Sequence, residues 1–288
     1  MAIKFADGYT LPSADQPLNH ARILYEAISG TVIASTAADG FPASAAANAL
    51  TYESWKPTAV PATWTVTAGE PVTVDCLGVA AHDLGVSDMA VTVQYQVTDG
   101  GAWADVASAT VRSNRPLMLM FEPVTGYAFR AVFEYNDDPL VYVVFDDSDD
   151  SFVRPPDTQI PVLGVIRFGK TMQMTQPVFG GATPAWLNRQ ATYDTNMSQS
   201  GEWLGRSVRR SGQPLGIEWQ HIKASWVRGV WKPFMDGVRD NPFFIAWNPL
   251  RDPEGTAYAY ATEMVPPTNM GVRDYMTIGL RGEAHDNE

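Results

Sequence analysis

Apolar and polar residues alternate along much of the first half of the chain. Within residues 89–98, every second position is apolar: Val91, Val93, Tyr95 and Val97. A period of two is typical of a strand that buries one face. Further strand-like stretches lie at 72–80, 107–112, 117–121, 127–135 and 140–145. Because Gly- and Asp-rich turns separate these stretches, the pattern predicts a β-sandwich or a β-barrel.

One stretch of the second half has a helical period instead. Four apolar residues recur at every fourth position: Trp226, Val230, Phe234 and Val238. Such a stripe predicts an amphipathic helix, which Ser225 is expected to cap, Pro233 to kink or split, and residues 240–242 to end. Strand-like stretches surround it at 162–167, 191–193, 216–219, 243–247 and 275–280. This half is therefore predicted to be a second β-sandwich with one flanking α-helix. The first half offers one brief helix candidate, at 43–49.

Charge divides the 288 residues into two parts. Residues 1–155 hold 19 acidic and 7 basic side chains, a net charge of −12, whereas residues 156–288 hold 13 of each. The change follows a run rich in acidic residues and serine that ends in Pro155 and Pro156, which neither a helix nor a central strand continues through. We therefore predict a first domain at 1–150, a linker at 151–161 and a second domain at 162–288.

The acidic run before the prolines also invites comparison with a calcium-binding loop. An EF-hand that starts at Asp146 would need glycine at its sixth position and glutamate at its twelfth. The chain has Ser151 and Asp157 at those positions. A solvated linker is therefore the better interpretation, and no metal site is predicted.

The sequence offers little for catalysis. Its one cysteine, Cys76, can form neither an internal disulfide nor a zinc cluster, and we expect a buried structural thiol. The four histidines are scattered, and no phosphate loop, zinc-protease or serine-hydrolase motif is present. A glycosidase needs two carboxylates held in one cleft, and no such pair stands out. We therefore predict no cofactor and no enzyme activity.

Two tryptophans lie nine residues apart around turn-forming prolines, Trp55 and Trp64. Tryptophan can stack on a sugar ring, but Trp64 belongs to an alternating run and Trp55 precedes a Lys–Pro turn, so both are expected in the core. Contacts to a glycan are placed in the neighbouring loops instead. The candidates are two aromatic and two polar residues: Tyr52, Trp103, His82 and Asp83. For His82, a structural, hydrogen-bonded role is favoured, and a contact to a ligand hydroxyl is the alternative.

The densest basic cluster is Arg206, Arg209 and Arg210. It either contacts an acidic partner, including the acidic first half, or lies on a solvated hairpin. The cluster has no interleaved aromatic residues, and the acidic half repels a phosphate backbone, so nucleic-acid binding is not expected. The longest apolar runs have the length of strands, and the N-terminus lacks the apolar segment of a signal peptide. No membrane span is therefore predicted.

Residues 48–85 carry a family resemblance. An alanine- and asparagine-containing segment leads to Trp55-Lys56-Pro57, then to Thr63-Trp64-Thr65-Val66, and then to a strand that ends in GVAAHDLG. This order resembles the discoidin-like modules (F5/8 type C, galactose-binding-like). The resemblance extends over roughly residues 20–145 and implies a jelly-roll β-sandwich. The fold alone does not imply sugar binding, because function depends on the loop residues.

The second half carries another resemblance. Its tryptophan-rich helix is followed by DNPFFIAWNP at 240–249 and by MGVRDY at 270–275. This order resembles the distal tail and baseplate ring proteins of long-tailed bacteriophages, over residues 160–285. The resemblance implies a homo-oligomeric ring, with a hexamer as the expected order, and the tail tube and tail-tip hub proteins as partners. Candidate assembly residues are Trp226 and Trp231, together with the cluster Arg206, Arg209 and Arg210.

These resemblances lead to two hypotheses of function. The first is a structural component of a phage tail tip or baseplate, located in the virion and assembled in the host cytoplasm, with a peripheral carbohydrate-binding-like domain. The ring would join the tail tube to the tip complex. The alternative is a lectin-like module that recognises a host surface glycan. A carbohydrate-active enzyme is a third class, which the absence of a catalytic constellation disfavours.

Overall fold

The computed structural model of the chain describes residues 3–7, 9, 20–136, 142–145, 151–154, 159–178, 181–271 and 274–285. Within them the fold is mainly β, as predicted, with two large sheets, a two-stranded ribbon and one helix. The strands are β1 (Ile3–Phe5), β2 (Arg22–Leu24), β3 (Thr31–Ala34), β4 (Ala62–His82), β5 (Met89–Gln96), β6 (Trp103–Thr110), β7 (Leu117–Tyr135), β8 (Tyr142–Phe145), β9 (Ser151–Arg154), β10 (Leu163–Gly169), β11 (Met172–Gln173), β12 (Gln190–Met197), β13 (Trp203–Lys223), β14 (Phe243–Ala246), β15 (Thr256–Glu263), β16 (Thr268–Asn269) and β17 (Tyr275–Ala284). The helix candidate at 43–49 is a short 3-10 turn, Ala43–Ala47, and a second such turn is Ala185–Leu187.

The first sheet has the strand order β10-β4-β7-β5-β6, with β3 beside β4 and β1 parallel to β7. Its two central strands are long, because β4 has 21 residues and β7 has 19. Their register shifts between Thr67 and Val72 and again between Val74 and Cys76, and such irregularities bend a strand. Both halves of β4 then contribute side chains to one core. The sheet therefore closes over itself, and we call this unit the first sandwich.

Trp55 and Trp64 lie in the core of the first sandwich, as predicted, with 0% and 2% of their surfaces exposed. Their indole N–H groups donate to the backbone carbonyls of Thr36, at 2.8 Å, and Ala43, at 2.9 Å. The ring of Trp64 stacks on Phe168 with 6.4 Å between centroids. Both tryptophans are thus satisfied inside the fold and are not sugar platforms.

The second sheet has the order β11-β2-β14-β15-β17-β13-β12, with β16 beside β17. One continuous helix covers it, made of α1 (Ala224–Trp226), a π-helical turn (Val227–Trp231) and α2 (Lys232–Gly237). The predicted stripe does face the core, since Phe234 and Val238 are buried. The expected cap at Ser225 is wrong, because the helix begins at Ala224 and no side chain caps it. Pro233, near the start of Lys232–Gly237, has no backbone N–H to donate to the preceding turn, and that turn is the π-helical one.

The two tryptophans of the helix differ in exposure. Trp231 is 1% exposed and lies 5.7 Å from Trp219 in an edge-to-face arrangement, whereas Trp226 is half-buried against the same core. Trp231 therefore belongs to the interior, which removes it from the candidate assembly surface.

The two sheets meet along a third apolar cluster that includes Cys76, Met118, Phe244 and Tyr258. They approach closely at Gly78, where an added Cβ would lie 2.8 Å from the Phe244 ring. Cys76 is buried here, as predicted, and burial raises the pKa of its thiol well above the usual range.

Strand pairing crosses the predicted domain boundary in both directions. Residues 163–169 were expected to open the second sandwich, but β10 pairs with β4 in the first sheet, where Ile166 and Phe168 fill the core. Conversely, β2 from the first half pairs with β11 and β14 in the second sheet. Part of the predicted linker is strand β9, which pairs with β8; the rest of the acidic run lies largely outside the described residues. The division at 1–150 and 162–288 into independent domains stays a prediction.

Candidate functional site

Residues 48–56 form a loop that the rest of the fold holds in two places. The Tyr258 hydroxyl of β15 donates to the Ala49 carbonyl at 2.9 Å. Further along, Trp55 and Leu163 exchange two backbone hydrogen bonds of 2.8 and 2.9 Å. Because Trp55 is also fixed in the core, the intervening residues are presented on a defined backbone.

Tyr52 extends from this loop into solvent with 78% of its surface exposed, more than any other exposed large apolar or aromatic side chain among the described residues. Its neighbours are polar and ordered. The Asn48 amide donates to the Glu53 carboxylate, and Asn48 Oδ1 accepts the Leu50 N–H at 2.7 Å. Glu53 follows Tyr52 directly in the chain and is half-buried.

Asp83 reaches the same edge from the end of β4. Its Oδ1 accepts the Val162 N–H at 2.7 Å, directly before β10, whose first residue Leu163 also pairs with Trp55. Burial raises the pKa of Asp83, while the hydrogen bond from Val162 and the charge of Lys56 oppose the rise. We call residues 48–56 together with Asp83 the loop edge.

His82 does not contribute to the loop edge. It is 5% exposed, and its Nδ1 lies 3.3 Å from the Leu84 N–H, which donates to it. Burial lowers the pKa of His82 to about 4, so the imidazole is neutral at pH 7. This geometry supports its structural interpretation over the ligand-binding one. Alternation along β4 did not reveal this, because every residue from Val74 to Ala80 is buried.

Trp103 lies at the opposite end of the first sheet. It belongs to β6, the last strand in the order, whereas His82 pairs with Leu163 at the β10 end. The Arg130 guanidinium lies over the Trp103 ring at 4.2 Å, and Arg130 also donates to Gln94. Trp103 is therefore half-buried under a cation. The four predicted glycan contacts do not form one site, and only Tyr52 and Asp83 share the loop edge.

The loop edge combines an aromatic ring with groups that donate and accept hydrogen bonds. An exposed phenol ring offers an apolar face and one hydroxyl group. Carboxylates accept hydrogen bonds, and an amide both donates and accepts. Together these groups can contact both the apolar face and the hydroxyl groups of an uncharged polar ligand. Among the described residues, no group of three or more His, Cys, Asp or Glu side chains is placed to hold a metal ion.

A second feature is a long hairpin, which the sequence indicated only as one interpretation of the basic cluster at Arg206, Arg209 and Arg210. Strand β12 and the first ten residues of β13 pair with each other, and we call residues 190–212 the arm. Every residue of β12 is exposed. Large apolar side chains on the arm are exposed by 42–66%: Tyr193, Met197, Trp203, Leu204 and Val208. Arg206 and Arg209 of the predicted basic cluster lie here and are exposed; the side chain of Arg210 lies outside what the structure describes.

Within the described part of the chain, no helix is both long and apolar enough to cross a membrane.

Comparison with protein-family models gives no match, and comparison with curated proteins gives none either. Solved structures do show similarity over about half of this chain. SpGH29 is 20% identical with a TM-score of 0.38, over 51% of this chain and 28% of that protein. A pectin-binding carbohydrate-binding module is 13% identical with a TM-score of 0.37, over 50% of this chain and 91% of the module. The family 32 carbohydrate-binding module of C. perfringens NanJ, solved in complex with galactose, is 13% identical with a TM-score of 0.36, over 48% of this chain and 91% of the module. Similarities this low carry no argument about what this chain binds.

Proposed function

We propose that the chain is a non-catalytic saccharide-binding protein and that the loop edge is its binding site. The observation that carries the proposal is Tyr52, whose ring is 78% exposed on a loop that is tied to the core at Ala49 and Trp55. A tyrosine ring held on a fixed loop offers an apolar face that a ligand can cover, and burial of apolar surface is a main source of favourable binding free energy.

The polar groups beside Tyr52 suit the hydroxyl groups of a sugar. Glu53 and Asp83 are each half-buried and hydrogen-bonded, so their remaining lone pairs point from fixed positions. In this proposal one sugar ring lies against the Tyr52 face. Its hydroxyl groups donate to the two carboxylates and accept from the Lys56 ammonium.

The test is a glycan array that includes lipopolysaccharide and capsular polysaccharide, probed with the full chain, because strand pairing crosses residues 151–161. We expect Tyr52→Ala to weaken binding by at least about tenfold, the value of one well-buried aromatic contact. Phe41→Ala is the matched control, since Phe41 is an exposed aromatic residue outside the loop edge, and it should bind as the wild type does. No retained saccharide, or equal binding by the Tyr52 variant, would contradict the proposal.

A second candidate function is the structural role expected from the tail-protein resemblance: a homo-oligomeric ring of the virion that joins tail tube and tip complex. The arm supports it, because five large apolar side chains are exposed along this one hairpin, and groups of exposed apolar residues mark interaction surfaces. An electron cryomicroscopy map of the assembled particle tests this role. Density for several copies around the tail axis is expected, and their absence would refute it.

A further inference from the structure

The arm is amphipathic, and its apolar face is open. Its register pairs Tyr193 with Val208, Thr195 with Arg206 and Met197 with Trp203. Residues directly opposite each other, and residues two apart, share one face of a sheet. Four apolar side chains lie on this face as two pairs, Tyr193 with Val208 and Met197 with Trp203, and they are separated by Thr195 and Arg206 and by a register shift after Asn196. Their exposed fractions are 42%, 61%, 58% and 65%. We call these four residues the apolar face of the arm.

The arm is held only at its base. Among the described strands, β12 pairs with β13 alone, and the arm reaches beyond the core that begins at Gln213 and Leu215. A two-stranded ribbon is marginally stable in water by itself. An amphipathic ribbon gains most when another surface covers its apolar side, so the arm has the properties of one half of an interface.

The charges of the arm point to the partner. Three exposed arginines lie on the arm or at its base, Arg189, Arg206 and Arg209, against two acidic residues, Asp194 and Glu202. The Arg206 guanidinium lies 3.9 Å from the Tyr193 ring centre, directly beside the apolar face. A partner that fits this surface therefore combines acidic groups with exposed apolar ones.

The first sandwich of the chain has that combination. Among its described residues, eight acidic side chains are exposed: Asp7, Glu26, Asp39, Glu70, Asp99, Asp105, Glu122 and Glu134. Two exposed basic side chains lie in the same unit: Lys170, directly after β10, and Arg112, which is paired with Asp88 at 2.9 Å. Two large apolar residues of the same unit, Ile33 and Val97, are 59% and 58% exposed.

We propose that the apolar face of the arm docks on the acidic first sandwich of a second copy of this chain. The proposal rests on the assembly function above and names the surfaces that would carry it. Pairing of two arms with each other is disfavoured, because it would bring the arginines of both copies together. A contact from arm to sandwich is heterologous, so it generates either a closed ring or an open filament.

Sedimentation velocity of the full chain tests the arm first. The variant Met197→Ser/Trp203→Ser/Val208→Ser should weaken self-association by at least about tenfold, as expected for loss of an apolar interface centre. Asn196→Ser is the matched control on the opposite face of the same strand, and it should associate as the wild type does. Circular dichroism confirms that each variant is folded.

A charge exchange then identifies the receiving surface. The variant Arg206→Glu/Arg209→Glu reverses the sign of charge on the arm. The variant Glu70→Lys/Asp99→Lys/Glu134→Lys reverses the sign of charge at three positions of the first sandwich. Each variant alone should be dissociated at concentrations where the wild type is associated. An equimolar mixture of the two should associate again, because the acidic arm then meets a basic sandwich and the unaltered arm meets an unaltered sandwich. Wild-type association should also weaken as salt is raised.

Three results overturn the proposal. A wild-type chain that stays monomeric at micromolar concentration means that the arm does not bind a second copy. The electron cryomicroscopy map of the assembled particle then tests the structural role independently. Association of the arm variants at wild-type strength places the contact elsewhere and leaves the assembly function standing. Loss of association without recovery in the mixture shows that the arm binds a surface other than the acidic sandwich.

Discussion

The loop edge and the arm both expose aromatic side chains, but the fold supports them differently. Tyr52 is a single ring with ordered carboxylate and amide neighbours, on a loop fixed to the core through Trp55. The arm instead presents two apolar pairs on one face, Tyr193 with Val208 and Met197 with Trp203, which the pairing of β12 with β13 positions. A single ring among polar groups suits a small polar ligand, whereas a group of exposed apolar side chains suits a protein surface. Because of this difference, we assign saccharide binding to the loop edge and contact with a second copy of the chain to the arm.

The largest expected effect separates two aromatic residues of the same loop. Trp55→Ala empties a fully buried site and removes a hydrogen bond, so we expect a loss of about 3–5 kcal/mol in the free energy of unfolding. Tyr52→Ala should change it by no more than about 0.5 kcal/mol, because that ring is exposed. Urea unfolding of both variants checks this. Similar losses for the two would show that Tyr52 is also structural.

Acid should weaken the fold through His82. Burial lowers the pKa of His82 to about 4, whereas an unfolded histidine titrates near about 6.5. Between these values the unfolded chain binds more protons, so this stabilisation is complete above about 6.5 and is lost as the pH falls toward about 4, by up to about 3 kcal/mol.

The comparison that isolates His82 is unfolding of wild type and His82→Gln at several pH values. Burial raises the pKa of Asp75 and of Asp83, which gives an opposite slope, but these residues are present in both chains. The variant should therefore lose stability less steeply in acid than the wild type does. Equal slopes would mean that His82 is accessible to protons in the folded state.

Close packing of the two sheets predicts an intermediate effect at Gly78. An alanine Cβ would lie 2.8 Å from the Phe244 ring and 3.0 Å from Leu24, so Gly78→Ala should cost about 1–3 kcal/mol by overpacking. Thermal unfolding measures this, and Gly69→Ala is the control, because nothing lies within 4 Å of an added Cβ there. Equal melting temperatures for the two variants would contradict a tight junction.

The smallest effect on stability is expected at the arm. Trp203→Ser and Val208→Ser remove exposed side chains, so each should change the free energy of unfolding of the dissociated chain by no more than about 0.5 kcal/mol. Chemical denaturation under dissociating conditions is the measurement. A loss as large as that of a core residue would show that the arm folds back onto its own chain.

Local periodicity predicted individual elements well. The alternation Val91, Val93, Tyr95 became β5, and the four-residue repeat through Phe234 became the buried side of the helix. The long-range arrangement did not follow from it. That β10 joins the first sheet depends on pairing with β4, more than eighty residues away, and no local pattern encodes the partner of a strand.

The same contrast applies to the candidate site: local sequence indicated single residues, but not which of them the fold brings together. The segments of Tyr52 and Asp83 lie at one edge because Leu163 pairs with Trp55 and Val162 with Asp83, so this arrangement is a consequence of tertiary pairing. His82 is buried, which agrees with the structural role favoured from the sequence; its position at the end of a strand left a contact at a loop rim as the alternative.

The arm carried only part of a readable signal: Tyr193 and Met197 fall on one face of a strand by a period of two, whereas Trp203, Leu204 and Val208 do not alternate, and the register shifts between Asn196 and Met197. Alternation predicts a strand with one apolar face, but it does not tell whether that face is covered.

The most direct test of the account is hydrogen–deuterium exchange of the full chain, with and without the saccharide that binds most strongly on the array. The account predicts added protection at residues 48–56 and around Asp83, with no change along the arm, and loss of this protection in Tyr52→Ala. Protection centred on β6 and Trp103 or on the arm, or an unchanged loop edge with the saccharide bound, would contradict it.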